Sequence, residues 1–284
     1  MIIQGITGRE ATTMSKEMLA YGAKVVAGVT PGKEGETIHG IPVYDCVVDA
    51  MRDHDANSAV VSVPPAFAKD AVFEAIAAGI KFVLVLSERV PIQDTIAMVA
   101  FANQHGARIV GPNSGGIISP NRTRLGYLGG NNPRAAFTPG PVGVVSRSGG
   151  MSVELSNLLT TSGIGQSTVI SMGGDPVTGS IYKDFLELFG QDPETKAVVF
   201  FCEPGGNKEE DAARYIREKF NKPVVVFFGG RFVDDLPGVR FGHASVMVGA
   251  SYGTTVEKTV RFREAGAVVV DYYSDIVTEL RRVL

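Results

Sequence analysis

The chain has 284 residues, of which 44% are hydrophobic and 20% are charged, so it can bury a large core and is long enough for two domains of ordinary size. Its formal net charge of −3, without any basic block, argues against nucleic-acid binding as the main role. No apolar run reaches the roughly 18 residues that a membrane span needs. The opening residues Met1–Gly5 are typical of a strand and not of a signal peptide.

The cysteines and histidines bear on the compartment and on metal binding. Cys46 and Cys202 lie far apart and lack the spacing of metal ligands, which favours a reducing, cytoplasmic compartment over a disulfide scaffold. Three histidines, His39, His54 and His105, show no helical spacing to one another and have no cysteine neighbours. We therefore expect no metal site.

Short apolar runs alternate with helical patterns through the first half of the chain. Fully apolar strands joined by helices predict a parallel sheet that is covered on both faces, as in a Rossmann-like domain. We expect this domain to span residues 1–121. Its predicted strands are Met1–Gln4, Lys24–Val29, Ala59–Val63, Phe82–Leu86 and Arg108–Val110, and its predicted helices lie around 11–21, 66–78 and 92–104.

A second alternation of the same kind begins after residues 122–141, whose Asn, Gly, Pro and Arg residues predict a linker. Residues 142–284 are therefore expected to form another doubly wound α/β domain. The predicted strands are Val142–Val145, Thr168–Ser171, Ala197–Cys202, Pro223–Phe228 and Ala267–Asp271, and the predicted helices are 151–162, 182–189, 209–220, 255–265 and 274–283.

The first strand runs into the glycine loop Gln4-Gly-Ile-Thr-Gly-Arg-Glu10, which precedes a predicted helix. Such a turn brings backbone N–H groups close to a phosphate at a helix N-terminus. The spacing is not the full dinucleotide fingerprint, however, and an ordinary strand-to-helix turn explains the loop equally well.

The end of the second strand argues against NAD. A dinucleotide site usually has Asp or Glu there for a ribose hydroxyl, whereas this chain reads Val29-Thr-Pro-Gly-Lys33. A lysine at this place suits an additional phosphate, such as that on the adenosine ribose of coenzyme A. A solvated loop lysine is the alternative.

Loops of the second half predict a phosphoryl-transfer site. Ser148-Gly149-Gly150 opens a helix after an apolar strand, where free N–H groups attract an anion. Gly173-Gly-Asp-Pro176 and Cys202-Glu203 end neighbouring strands. If His243, in its own glycine-flanked loop, folds over this edge, Glu203 can accept a hydrogen bond from one ring nitrogen and leave the other to attack phosphorus. A surface glutamate and a structural histidine remain the alternatives.

The chain resembles the alpha subunit of succinate–CoA ligase, the nucleoside-diphosphate-forming succinyl-CoA synthetase, over essentially its full length. The number and order of the matching segments make the resemblance specific. They include Gly5-Ile-Thr-Gly8, Gly28-Val-Thr-Pro-Gly-Lys33, Gly111-Pro-Asn113, Val145-Ser-Arg-Ser-Gly149, Gly173-Gly-Asp-Pro176, Glu203 and Gly242-His-Ala244.

The resemblance implies an α/β fold with a Rossmann-like CoA-binding domain followed by a flavodoxin-like ligase domain, and a place in the tricarboxylic acid cycle. It implies a phosphohistidine at His243, oriented by Glu203, with phosphate held at Ser148, Gly149 and Gly150. The coenzyme A contacts that it implies are Thr7, Gly8, Arg9, Glu10, Lys33, Leu86, Ser87 and Glu88.

The resemblance also implies a partner. In the family, an ATP-grasp beta subunit, in a heterodimer or heterotetramer, binds ATP or GTP with Mg²⁺ and phosphorylates the histidine. The phosphoryl group then passes to a small carboxylic acid, and the thiol of coenzyme A attacks the acyl phosphate.

Departures from the family pattern affect a thiol, the contact with the acid and the histidine loop. The usual Asn-Cys-Pro-Gly reads Asn113-Ser-Gly-Gly116, the usual tyrosine that contacts succinate is Val153, and Gly-His-Ala-Gly-Ala becomes Gly242-His-Ala-Ser-Val246. The tract around Ser148 is similar instead to that of ATP-citrate lyase and citryl-CoA synthetase.

Succinate is therefore the first expectation for the acid, with citrate or malate as competitors. A stand-alone CoA-binding protein without turnover is a further alternative, whereas a nicotinamide-dependent dehydrogenase is disfavoured.

Overall fold

The computed structural model describes residues 1–249 and 253–284, which form two compact α/β units. The first unit comprises Met1–Asn131 and Val177–Ser180, and the second comprises Asn132–Pro176 and Ile181–Leu284. No helix in the described ranges is both long and apolar enough to span a membrane. The predicted α/β fold class is confirmed.

The first unit is built on a sheet in the order β3-β4-β2-β1-β5-β6-β7, in which only β3 runs antiparallel to its neighbour. This order, with β1 central, is typical of a Rossmann-like unit. The strands are β1 (Ile2–Gln4), β2 (Ala27–Val29), β3 (Thr37–Ile38), β4 (Ile41–Tyr44), β5 (Ser58–Val61), β6 (Phe82–Val85) and β7 (Arg108–Val110).

Four helices accompany this sheet: α1 (Arg9–Ala20), α2 (Val47–Asp53), α3 (Ala68–Ala77) and α4 (Ile92–Gln104). The apolar faces of α2, α3 and α4 and the strands form one buried cluster in which Ile2, Ala59 and Val83 are fully covered. An antiparallel hairpin of β8 (Gly116–Ser119) and β9 (Thr123–Gly126) follows. The sequence analysis did not predict α2, β4 or this hairpin, because each is short.

The second unit contains five parallel strands in the order β14-β13-β12-β10-β11. All six residues of the central strand β12 are buried, which explains its uninterrupted apolar sequence. The strands are β10 (Pro139–Ser146), β11 (Gln166–Ser171), β12 (Ala197–Cys202), β13 (Val224–Phe228) and β14 (Val268–Val270). The helices are α5 (Pro133–Ala136), α6 (Gly149–Thr161), α7 (Tyr182–Gln191), α8 (Lys208–Lys219), α9 (Thr255–Glu264) and α10 (Asp275–Val283).

The segment 122–141, predicted as a linker, is folded. It contains β9, helix α5 and the first residues of β10, and the compact units divide between Asn131 and Asn132. Arg124 in this segment is fully buried, and its guanidinium donates to Gly130 O at 2.6 Å and to Glu17 at 2.9 Å. These two bonds offset part of the cost of burying the charge, so a segment of polar composition can still belong to the core.

Candidate functional site

The ring of His243 is docked on a carboxylate. Its Nδ1 lies 2.9 Å and 2.8 Å from the two carboxylate oxygens of Glu203, which follows β12. The sequence analysis predicted this pairing, and the structure brings the two side chains together. Because the N–H on Nδ1 donates to Glu203, the lone pair of the neutral ring is on Nε2.

The backbone of Gly174, in the loop after β11, is the floor on which this ring lies. A Cβ atom at Gly174 would lie 2.3 Å from Cγ and Cδ2 of His243, which is closer than real Cβ contacts come. Only glycine therefore permits the observed position of the ring.

The pair is partly buried, with side-chain exposures of 28% for His243 and 13% for Glu203. The hydrogen bond to Glu203 raises the pKa of His243; burial opposes the rise, and the negative charge of the carboxylate adds to it. Glu203 thus favours the protonated ring and fixes its orientation.

Helix α6 begins directly beyond the end of β10. The hydroxyl of Ser148 accepts from the backbone N–H of Met151 at 3.3 Å and so caps the helix. Gly149 and Gly150 lie in the first turn, whose N–H groups have no acceptor within the helix. Val153, the residue associated with the acid, is half-buried in the same part of the helix. Helix α6 therefore presents free backbone donors of the kind that the phosphate-holding prediction needs.

A buried ionic cluster, which the sequence analysis did not find, supports these loops. Arg147 is 1% exposed and lies 2.6 Å from Glu209, while Lys258 lies 2.7 Å from Glu209 and 3.1 Å from Glu210. The guanidinium of Arg147 also donates to Gly205 O at 3.1 Å. Since removing one partner would leave an uncompensated buried charge, the cluster fixes α8 and α9 to the loop that precedes α6.

Lys208 is a further buried cation that the sequence did not reveal. Its ammonium donates to the backbone carbonyl of Asp175 at 2.7 Å. Asp175 belongs to the loop on which His243 lies. Burial, and after it the positive charge of Arg147, lowers the pKa of Lys208 to about 7. Its apparent place on a charged helix surface gave no signal of burial.

The first unit has a cavity of about 700 Å³ at the carboxyl ends of β1, β2 and β5. Thr7 and Gly8 line it, together with Gln4, Val63 and Glu74. Gln4 is buried, and its amide nitrogen donates to Ala71 O at 2.9 Å and to Glu74 at 3.0 Å. In the described part of the chain its carbonyl oxygen has no hydrogen-bond partner. This oxygen is itself buried, and the amide of Gln4 links β1 to α3.

Comparison with known proteins agrees with this arrangement of two sites. Residues 1–89 match the family model described as a CoA binding domain, and residues 145–268 match the model described as CoA-ligase. A succinate–CoA ligase (ADP-forming) subunit alpha 1 from Archaeoglobus fulgidus is 44% identical over 284 residues, which cover 100% of this chain and 95% of the relative. The chain belongs to the succinate–CoA ligase alpha-subunit family. It is therefore an enzyme subunit of the acid–thiol ligase type, as the sequence resemblance implied.

Other members of the family give the same match. The alpha subunit of succinate–CoA ligase (ADP-forming) from Methanothermobacter thermautotrophicus is 43% identical over 280 residues, which cover 99% of this chain and 93% of the relative. The corresponding protein of Staphylococcus epidermidis is 42% identical, with coverages of 99% and 91%. The match thus extends through both units in an archaeon and in a bacterium.

Solved structures share the fold. ATP citrate lyase from Methanothrix soehngenii, in complex with citrate and coenzyme A, matches with a TM-score of 0.91 at 26% identity, covering 99% of this chain and 49% of that chain. This chain thus spans about half of that protein. A dinucleotide-forming acetyl-coenzyme A synthetase from Ca. Korarchaeum cryptofilum, with a TM-score of 0.76 and 21% identity over 97% of this chain and 59% of that chain, shows the fold alone.

The remaining residues that the family resemblance assigns to coenzyme A do not line the cavity. Arg9 and Glu10 are exposed in the first turn of α1, and Lys33 lies 2.8 Å from Glu36 in an exposed ion pair. Leu86 is buried and Glu88 is exposed. Only Thr7 and Gly8 of the assigned set line the cavity, so the other assignments stay predictions.

Ser87 has a structural contact of its own. Its hydroxyl is largely buried and donates to Val63 O at 2.6 Å, and Val63 lines the cavity. Ser87 thereby holds one edge of the cavity in place.

The pH response of His243 is a direct test of its pairing with Glu203. Substituting Glu203→Gln removes the carboxylate that raises the pKa of His243, and we therefore expect the ring to become neutral at lower pH than in the unsubstituted protein. Titration of the His243 ring protons by NMR measures the change. Glu257→Gln, which disturbs the pair with Arg261 on α9 and the bond from the backbone N–H of Gly253, is the control. An unchanged midpoint for Glu203→Gln would show that the two side chains do not interact in solution.

Proposed function

We propose that the chain is the alpha subunit of an ADP-forming succinate–CoA ligase that works through a phosphohistidine at His243. The observation that carries the proposal is the bond from Nδ1 of His243 to the carboxylate of Glu203. This bond sets the tautomer and leaves Nε2 as the nucleophile. The identity of 44% with an alpha subunit of that name, over the whole chain, supports the same function.

The reaction proceeds in three transfers. Nε2 attacks the γ-phosphorus of ATP, an N–P bond forms, and the bond to the leaving ADP breaks. A carboxylate oxygen of the acid then attacks the phosphorus, which returns the neutral ring and gives an acyl phosphate. The sulfur of coenzyme A finally attacks the acyl carbon, phosphate leaves, and the thiol proton passes to solvent.

On this chain a carboxylate orients the histidine ring, and backbone N–H groups stabilise the phosphoryl group. Glu203 holds the ring by Nδ1–H and stabilises the positive charge that the ring gains on phosphorylation. The first turn of α6, with Ser148, Gly149 and Gly150, presents N–H groups and the positive end of the helix dipole to the phosphoryl group. These are contributions that strengthen as charge develops on the transferred group.

The phosphoryl donor is expected on a partner. The relatives are named as alpha subunits, which supports a beta subunit, and we infer that this partner has an ATP-grasp fold and binds the nucleotide with Mg²⁺. The name ADP-forming favours ATP over GTP. Both cysteines, Cys46 and Cys202, are free, which supports a cytoplasmic location. A heterodimer and a heterotetramer both satisfy these requirements.

Coenzyme A is the expected ligand of the cavity in the first unit. Its volume of about 700 Å³ and the turn at Thr7 and Gly8 fit a large ligand that carries phosphates. The match of residues 1–89 to a CoA binding domain supports this assignment.

Lys33 gives a specific prediction for this site. If its ammonium leaves Glu36 and binds the 3′-phosphate of the ligand, Lys33→Ala should weaken coenzyme A binding by about tenfold, the effect of one charge-assisted hydrogen bond. Binding of dephospho-coenzyme A, which lacks that phosphate, should not change. Calorimetric titration with both ligands makes the comparison, and Lys24→Ala, which removes an exposed lysine of the same unit, is the control. Equal weakening of both ligands would contradict the assignment.

Succinate is the acid that the relatives' names favour, and citrate is the competitor. The TM-score of 0.91 to an ATP citrate lyase that was solved with citrate keeps the larger acid open. Val153 is shorter than the tyrosine of the family pattern and so provides space at the start of α6.

The test is to co-purify the chain with its ATP-grasp partner and supply ATP, coenzyme A and one acid at a time. Hydroxylamine traps the thioester formed from succinate, malate or citrate. Succinate is expected to give the fastest thioester formation. Faster turnover of citrate or malate would reassign the acid, and coenzyme A binding without thioester from any acid would favour a CoA-binding protein without turnover.

A further inference from the structure

The hydroxyl of Ser245, two residues beyond His243, makes a buried contact with each of two neighbouring loops. It donates to the carbonyl oxygen of Gly174 at 2.8 Å and accepts from Nη1 of Arg147 at 3.2 Å. Ser245 is 8% exposed, so water does not easily replace these partners. A hydroxyl is the smallest side-chain group that can donate and accept at the same time.

The partners of Ser245 are themselves fixed. Arg147 is held from its other side by Glu209 and by the carbonyl of Gly205. Gly205 also lies directly against the backbone of the histidine loop, since a Cβ atom there would come within 2.2 Å of Ser245 O. The loop is therefore fastened at Ser245 to segments that follow β10, β11 and β12.

The two residues that Ser245 contacts, Gly174 and Arg147, also lie next to the groups around the histidine ring. Gly174, which accepts from Ser245, is the residue on which the ring lies. Arg147, which donates to Ser245, immediately precedes Ser148, the cap of α6. The Ser245 hydroxyl thus holds the histidine loop in the position in which His243 contacts Glu203. This position lies beside the loop that leads into α6.

We propose that the Ser245 hydroxyl is a positioning latch that holds His243 in this docked place during phosphoryl transfer to the acid, and that it opens when the loop moves to the nucleotide. This inference rests on the phosphohistidine mechanism proposed above. It makes Ser245 a positioning residue, which acts through the loop and through Gly174.

Removing the hydroxyl should affect the two half-reactions unequally. In Ser245→Ala the loop loses its side-chain bonds to Gly174 and Arg147, and we expect discharge of the phosphorylated enzyme by acid and coenzyme A to slow by at least about fivefold, the effect of the neutral bond alone. Exchange of phosphate between ADP and ATP should not slow, because it uses the released loop. Ser245→Thr, which keeps the hydroxyl, should restore discharge.

The experiment uses the assembled enzyme and one readout that needs no turnover. Hydrogen–deuterium exchange of peptides from residues 236–249 should be about fivefold faster in Ser245→Ala than in the unsubstituted protein. Peptides from residues 1–89 should exchange equally in both proteins. This measurement reports on the latch even if the enzyme carries no phosphohistidine.

The outcomes separate the two proposals. An unsubstituted enzyme that never becomes phosphorylated sinks the proposed mechanism, whatever the exchange data show. An unsubstituted enzyme that is phosphorylated, together with a Ser245→Ala protein that has unchanged discharge and unchanged deuterium uptake, overturns the latch. Equal slowing of both half-reactions, or slowing of nucleotide exchange alone, also overturns it, since a general loss of structure would then explain the result.

Discussion

Substituting His243→Asn should reduce phosphorylation of the chain and thioester formation to background, a loss of about 10⁴-fold or more, as is common when a nucleophile is removed. The amide of asparagine can still donate to Glu203, so the loop keeps its anchor, but it offers no basic nitrogen in the place of Nε2. Labelled ATP, with the partner subunit present, measures the first step directly. Coenzyme A binding should be unchanged, because the CoA-binding match lies at residues 1–89.

The control for this substitution is His105→Asn. His105 is exposed at the end of α4, and its Nδ1 contacts Phe101 O at 2.8 Å, so the change tests a histidine that has no role in the proposed reaction. Label that persists in the His243→Asn protein would show that the phosphoryl group passes through a different residue.

The second large effect is expected at Gly174. In Gly174→Ala the added methyl group would overlap the His243 ring, so the ring must leave Glu203 or the loop after β11 must shift. A displacement of about 1 Å at a reacting group costs on the order of 100-fold in rate, and we expect thioester formation to fall by that factor. Steady-state assays in the assembled enzyme, together with the NMR titration of His243, test this expectation.

Gly190→Ala is the matched control for Gly174→Ala. Gly190 lies in α7 of the same unit, and its added Cβ would meet Phe220 at 3.6 Å, an ordinary van der Waals distance. The rate should be close to that of the unsubstituted enzyme. If both alanine variants lose activity equally, or if Gly174→Ala is fully active, the ring does not lie on Gly174 during catalysis.

The sequence predicted the architecture well because the parallel strands are buried on both faces. The run Ala197–Cys202 has no polar interruption, and the structure forms β12 over those same residues. The start of α6 in the glycine loop after β10 was also predicted, because serine is a preferred helix cap and Ser148 caps this helix. Glu203 was expected at the edge of the sheet, and its contact with His243 was a hypothesis that required the histidine loop to fold over that edge, as it does in the structure.

Buried charges were beyond the reach of sequence patterns. Glu209 and Lys258 lie on helices whose charged residues look like solvated faces, yet both side chains are completely buried, with Glu209 between Arg147 and Lys258. Such a cluster depends on residues that are 62 and 49 positions apart in the chain. A single sequence gives the residue types but does not show which of them come into contact. For the same reason it did not reveal the ion pair between Glu17 and Arg124, the latter in the segment that was predicted to be a linker.

The cavity that we propose for coenzyme A was predicted only in part. The turn at Thr7 and Gly8 lines the cavity, as expected from a glycine loop after the first strand. Gln4 and Glu74, which also line it, had no motif to mark them, because their exposure to the cavity depends on how β1 meets α3.

The central claim is that this chain carries the phosphoryl group on Nε2 of His243. The most direct measurement is to react the assembled enzyme with ATP alone, then to locate the modified residue by mass spectrometry and the modified nitrogen by ³¹P NMR. We expect one acid-labile phosphoryl group on His243, bonded to Nε2, that disappears on addition of acid and coenzyme A. Phosphate on another residue or on Nδ1, or thioester formation from an enzyme that never becomes phosphorylated, would contradict the account.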